Sequence, residues 1–190
     1  AMKRHWSKRV LALVAVLLFV GLASDAAFSQ EKVIKIGTLF PLTGPVALAG
    51  QRCKAAVETA VEVINNSYPD IKVPLAAQEG ILEGYKIVLV HADHQGKPDI
   101  GKTEAERLFD QEGVYAIVGS YNSAVTKPAS LVAERRKKLF MCGCSSSAEL
   151  TKRGMKYFFC MAPTDETESQ EFVTFVKWLN ETKGADLKTF

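Results

Sequence analysis

Serine hydroxyls gather in two short stretches of this sequence, SYNSAVTKPAS at residues 120–130 and CGCSSSAEL at residues 142–150. Each follows a short apolar run and opens into a helical pattern. Serines at a helix start add hydroxyls to the N–H groups that the first turn leaves unpaired, a combination suited to a small anion such as a carboxylate. Simpler roles fit the same residues. Ser123 stands just before a predicted helix and suits its N-cap, worth ~1 kcal/mol. Ser146 has Glu149 three positions on, the spacing of a capping box. The two roles are compatible, because a cap leaves neighbouring N–H groups available. Three adjacent serines exceed what a cap requires.

Other chemistries find less support. The chain has no G-x-S-x-G, no H-E-x-x-H and no G-x-x-x-x-G-K-[ST]. The turn TGPVALAG lacks the G-x-G-x-x-G spacing of dinucleotide binders. His91 and His94 flank Asp93 without a third spaced ligand, so they read as ordinary loop residues rather than a metal site. No catalytic residue, metal or cofactor is expected. The cysteines are Cys53, Cys142, Cys144 and Cys160. Four cysteines allow three full pairings, and spacing does not choose among them. Cys142 and Cys160 fall at the ends of successive predicted strands, which makes that pair geometrically feasible. Buried free thiols are the favoured reading, and a single C-x-C is a poor zinc motif. The basic run 135–138 reads as a solvated helix end.

The elements that must position the serines follow from periodicity. A Val/Ile-rich strand is expected over 33–40, then a loop holding Thr43 and Gly44. A helix should run from 46 or 48 to 66, burying Cys53, Ala56, Val57, Ala60, Val61 and Ile64. A surface loop over 67–84 ends in a turn at 82–85. A strand at 85–91 leads to a helix at 100–112, capped by Asp99 and stopped by Gly113. Then come a strand at 115–118, a helix at 124–137, a strand at 139–141, a short helix at 148–152 and a strand at 157–160. A long helix at 164–183 carries Phe172, Phe175, Val176 and Leu179 on one face and stops at Gly184. Residues 187–190 look like the opening of another strand. This alternation predicts an α/β, doubly wound, mostly parallel sheet with right-handed crossovers. In such a sheet the loops with Thr43, Ser123 and the triple serine all leave from one edge.

A chain of 190 residues with 47% hydrophobic and 24% charged residues suits one domain and part of a second. Its net charge of +3 resides in residues 1–30, where Lys3, Arg4, Lys8 and Arg9 face only Asp25. The neutral remainder offers no basic stripe for nucleic acid. Residues 1–30 read as a secretory signal peptide: a basic start, an apolar run over 10–23, then small residues. That run is shorter than the ~20 residues of a spanning helix. With no cysteine before Cys53, a lipid anchor is not expected. The protein is therefore expected to be exported, in the periplasm of a two-membrane cell.

Several stretches together resemble a known family: IKIGTLFPLTGPVALAGQ, DHQGKPD, AIVGSYNSAVTKPAS, and SSSAELTKRG followed by a short strand and a P-x-D crossover. From Glu31 onward, in order and spacing, the chain is similar to the branched-chain amino-acid/amide-binding proteins of ABC importers. These have the type I periplasmic-binding fold, two α/β lobes that close on a ligand. After the signal peptide read at 1–30, the resemblance implies a first lobe at 31–162 and, at 163–190, the crossover and first helix of a second, truncated lobe. It implies a small-molecule ligand, an amino acid or amide, and an ABC permease as membrane partner. By motif, Ser123 would contact the ligand carboxylate. Cys144 (main chain) and Ser146 would contact the amino and carboxylate groups, with Thr43 and Gly44 at the border. With their neighbours Asn122 and Ser145, these residues form the expected ligand-binding set. Ala49 falls where some relatives carry a larger side chain. The chain departs from the family at Cys144, where a small residue is usual, and near Cys160, where arginine is common. It also lacks cysteines near Gln95 and Asn122, where some relatives have a disulfide. A sensory module of the same fold, for urea, amide or aromatic-acid ligands, is the alternative. An exported α/β enzyme ranks below it.

Overall fold

Five parallel strands form a single sheet in a computed structural model that describes residues 32–188. The expected export segment lies outside the described residues. In chain order the elements are β1 (Val33–Phe40), α1 (Ala47–Asn65), β2 (Lys86–Asp93), α2 (Pro98–Asp110), β3 (Ala116–Gly119), α3 (Ser123–Arg136), β4 (Leu139–Cys142), a single 3-10 turn (Ala148–Leu150), β5 (Phe158–Cys160) and α4 (Asp165–Lys183). The sheet order is β2-β1-β3-β4-β5. The chain steps to one side of β1 for β2 and to the other for β3. The carboxyl ends of β1 and β3 therefore flank the switch point where such sheets leave a crevice.

Alternation along the strands sorts side chains between the two faces. Leu39, Ala92, Ile117, Phe140 and Phe158 share one core cluster with Ala105, Leu108 and Phe109 of α2 and Ala129, Val132 and Ala133 of α3. Helices α2 and α3 approach closely at Gly101, where a Cβ would lie 2.2 Å from Val125 Cγ1. Helix α1 contributes nothing to that cluster and packs beside β1 and β2. At its C-terminal end the Asn65 amide pairs with the edge strand: Nδ2 donates to Ile87 O over 2.8 Å, and Oδ1 accepts from Ile87 N over 2.7 Å. This occupies backbone groups that an edge strand otherwise leaves open.

Several expectations require correction. The stripe predicted on α1 is not buried: Ala56 and Ala60 are exposed, Cys53, Val57, Val61 and Ile64 are intermediate, and the buried residue of this helix is Gly50. Helical spacing marks an apolar face, but burial needs an element lying over it. Helix α4, for which no burial was expected, buries Val176 and leaves Phe172 and Phe175 each 53% exposed. Helix α2 begins at Pro98, with Lys97 at its N-cap and no side-chain cap bond, so Asp99 lies inside the first turn. The helix expected at 148–152 is the 3-10 turn alone. Residues 187 and 188 form no strand, and 189–190 lie outside the described residues. Helix α4 starts within one residue of the expected position: Thr164 is its N-cap, and the hydroxyl accepts from Thr167 N over 3.2 Å.

Candidate ligand-binding site

Because the strands are parallel, the loops after β1, β2, β3 and β4 all leave from the same sheet edge, and they form two hydrogen-bonded clusters. The first is organised by Asp93. Its Oδ1 accepts from Leu42 N and Gln95 N, each at 2.8 Å, and its Oδ2 accepts from the Thr43 hydroxyl at 2.5 Å. Gly44 sits beside this junction at φ +87, with its Cβ position 3.4 Å from Gln95 O. Burial alone would raise the Asp93 pKa. The hydrogen bonds from Thr43, Gln95 and Leu42 outweigh it and hold the carboxyl below its ordinary value.

The second cluster joins the loops after β3 and β4. The Ser145 hydroxyl, 1% exposed, lies 2.7 Å from Thr126 Oγ1, which lies 2.8 Å from Ser120 Oγ. Ser145 Oγ also reaches Ser120 O at 3.2 Å and Tyr121 O at 3.3 Å. Two sulfurs steady its backbone: Ser145 N donates to Cys142 Sγ at 3.3 Å, and the Cys160 thiol donates to Ser145 O at 3.4 Å. Ser147 N donates to Ser123 Oγ at 3.4 Å. Ser146 is half-buried, and its carbonyl accepts from Asp165 N at 2.9 Å, which ties this loop to the start of α4.

Neither serine performs its expected cap. Helix α3 starts at Ser123, so its N-cap is Asn122, without a side-chain cap bond. The cap is made by the backbone, since Asn122 O accepts from Val125 N and Thr126 N at 3.0 and 2.9 Å. The Asn122 Oδ1 atom is buried and has no hydrogen-bond partner. The 3-10 turn has Ser147, not Ser146, at its N-cap, again without a side-chain bond. The Ser123 hydroxyl therefore stands at the sheet edge without capping duty, and of the first-turn N–H groups the Asn122 carbonyl leaves those of Ser123 and Ala124.

Cys144 is exposed, and its Sγ lies 3.5 Å from Cys53 Sγ on α1. Loss of solvent around the sulfur and the neighbouring Cys53 push the Cys144 thiol up to about 12. All four cysteines are free. Cys142 and Cys160 are register partners on β4 and β5. The histidines beside Asp93 have separate partners. His91 Nδ1 lies 2.6 Å from Thr38 Oγ1 and its Nε2 3.3 Å from Glu58, while His94 Nδ1 accepts from Gly96 N at 3.0 Å. Among the described residues no group of three His, Cys, Asp or Glu is placed to hold a metal ion.

The structure thus brings Asn122, Ser123, Cys144, Ser145 and Ser146 into two adjoining loops, and Thr43 and Gly44 into a separate pair at the same edge. Ser145 is in the loop, but its hydroxyl turns inward. Asp93 and Thr126 are the organising residues that motif reading missed. A carboxylate closing a strand end was the available signal for Asp93, and a threonine in the first turn of α3 for Thr126.

Comparisons with known proteins bear on the family and the fold. The periplasmic binding protein family profile matches residues 33–187. The Leu/Ile/Val-binding protein homolog 3 of Brucella melitensis is 32% identical over 168 residues, covering 88% of this chain and 41% of the relative. The Leu/Ile/Val-binding protein BraC3 of Rhizobium johnstonii is 31% identical, covering 86% and 39%. The chain thus spans about two-fifths of the length of these relatives. Among solved structures, the branched-chain amino acid transporter substrate-binding protein LivJ of Streptococcus pneumoniae, in complex with isoleucine, superposes with a TM-score of 0.65 at 25% identity, over 80% of this chain and 39% of that one. A solute-binding protein of Rhodopseudomonas palustris in complex with 3,4-dihydroxybenzoic acid shares the fold, with a TM-score of 0.58 at 21% identity over 70% of this chain and 33% of that one. The match over most of the chain and the parallel sheet with its edge loops lead to one conclusion: the chain belongs to the periplasmic binding protein family.

Proposed function

We propose that this chain is the first ligand-binding lobe of an extracytoplasmic solute-binding receptor that delivers a small amino acid or amide to an ABC importer. The observation that carries the reading is the paired loop cluster at the sheet edge. Ser123 and Ser147 join the loops after β3 and β4 through one hydrogen bond, and the Ser120–Thr126–Ser145 hydroxyl chain fixes both from beneath. A head-group carboxylate would sit against the Ser123 hydroxyl and the N–H groups at the start of α3. An ammonium or amide donor would find an acceptor in the Cys144 carbonyl, with Asn122 in the adjoining loop. Ser145 acts by holding the loop, and Ser146 borders the ligand. Thr43 and Gly44, held by Asp93, form the far rim.

The same geometry favours binding over catalysis. Among the described residues no histidine or carboxylate hydrogen-bonds to Ser123, so the hydroxyl lacks a base to activate it. In this reading residues 31–162 form the lobe and 163–190 the crossover toward a second one that closes the cleft. Residues 1–30 direct export, and the permease is the partner that accepts the loaded receptor. The Leu/Ile/Val-binding relatives support a branched-chain amino acid as the first ligand to try. The test is thermal unfolding of the full-length protein against leucine, isoleucine, valine, small amides, urea and aromatic acids. A ligand at 100 times its Kd should add about 2.7 kcal/mol of stability. No shift with any member of that panel would overturn the reading.

A further inference from the structure

We propose that Cys53 and Cys144 are a disulfide-forming pair that staples helix α1 to the loop following β4. The two sulfurs lie 3.5 Å apart although 91 residues separate them in sequence. A disulfide bond is ~2.05 Å long, so closure needs about 1.5 Å of movement. One end of that movement is an exposed loop residue and the other a half-buried helix position. The remaining cysteines are occupied differently. Cys142 is fully buried and its sulfur accepts from Ser145 N, while the Cys160 thiol donates to Ser145 O. Cys53 and Cys144 have each other. Their surroundings favour a bond over a metal ion, since the described residues offer no third ligand.

The reaction needs an oxidant, and a small or protein disulfide supplies it. The Cys53 thiolate attacks one sulfur of that disulfide, forms a mixed disulfide and releases a thiolate that takes up a proton. The Cys144 sulfur, after giving up its proton, displaces the second half of the reagent as another thiol. Two protein thiols are oxidised and one external disulfide is reduced to two thiols. The atom and electron balance is the same whichever sulfur of the pair attacks first. The bond would join the two site clusters: α1 begins directly after the Thr43–Gly44 loop, and Cys144 precedes Ser145 and Ser146. The pairing is independent of which ligand the cleft takes.

The test is peptide mapping of the full-length protein after equilibration with oxidised glutathione, with free thiols alkylated under denaturing conditions. The expected result is a peptide pair linked through Cys53 and Cys144, lighter by about 2 Da for the two hydrogens lost, with Cys142 and Cys160 alkylated. Reduction should abolish the linked pair, and in Cys53→Ser, Cys144 should not be linked to another protein cysteine. Alkylation of both Cys53 and Cys144 after the glutathione treatment would overturn the proposal. So would a link from Cys144 to Cys142 or Cys160, or a glutathione adduct that remains on Cys144 beside a free Cys53.

Discussion

The Ser147 backbone N–H donates to the Ser123 hydroxyl oxygen over 3.4 Å, joining the loop after β4 to the first turn of α3. One hydroxyl thus links two loops that are 24 residues apart in sequence. Removing it in Ser123→Ala should cost about 0.5–1.5 kcal/mol of stability, the net worth of an ordinary hydrogen bond. If the same oxygen also meets a ligand carboxylate, the loss in binding is larger. Bonds to charged groups are worth about 1.5–3 kcal/mol, roughly 10- to 100-fold in Kd. Calorimetry with leucine on the full-length protein separates the two roles. An unchanged Kd beside a lowered melting temperature would leave Ser123 a loop strut only.

Beneath that link, Thr126 relays between Ser120 and Ser145 with all three residues essentially buried. Thr126→Val keeps the shape and deletes the two side-chain bonds of the relay. Each serine hydroxyl keeps a backbone acceptor, so the loss is that of ordinary hydrogen bonds, about 0.5–1.5 kcal/mol each, and urea unfolding should show it. Ser145→Ala and the double variant complete a cycle. Residues in one network couple by about 0.5–3 kcal/mol, and strictly additive losses would show that the relay does not act as a unit.

What was legible in the sequence was local. The Val/Ile run of β1 and the helix stop at Gly184 are written in residue type, since that glycine is the C-cap at φ +66, whereas α2 already ends at Asp110 with Gln111 as its C-cap, short of Gly113. The span of α4 was equally readable, expected over 164–183 and observed over Asp165–Lys183. The serine caps failed because a cap depends on where the backbone turns into the helix, and Asn122 makes that turn with its carbonyl. Helical spacing on α1 announced an apolar face without revealing that Ala56 and Ala60 remain exposed. The Asp93–Thr43 bond spans 50 residues and the Cys53–Cys144 approach 91, distances over which spacing carries no pairing information.

Gly50 tests how α1 is seated behind the Thr43–Gly44 loop. A Cβ there would lie 2.1 Å from Pro41 O and 2.8 Å from Pro41 Cδ, far inside contact distance. The helix must therefore move in Gly50→Ala, despite alanine's better helix propensity. Overpacking of this kind costs about 1–3 kcal/mol, and a fall in the urea midpoint would report it. A neutral or stabilising effect would mean that α1 can shift away from β1 at little cost.

Two neighbouring residues should make stability fall with acid in separate intervals. Burial pushes the His94 imidazole down to about 4, while an unfolded histidine protonates near 6.5. Between those values the unfolded chain binds the extra proton, so falling pH favours unfolding. Asp93 is held below its ordinary 3.8, so its contribution is complete above that value and is lost as pH falls through the folded one. In urea series from pH 7 to 3, the stability advantage of wild type over His94→Asn should shrink between 6.5 and 4. The Asn oxygen in that variant can still accept from Gly96 N. The advantage over Asp93→Asn should stay level there and shrink only below about 3.8. A flat His94 difference across its interval would show that the buried ring titrates as an exposed one does, and a loss of the Asp93 advantage already at pH 5 would contradict the lowered carboxyl.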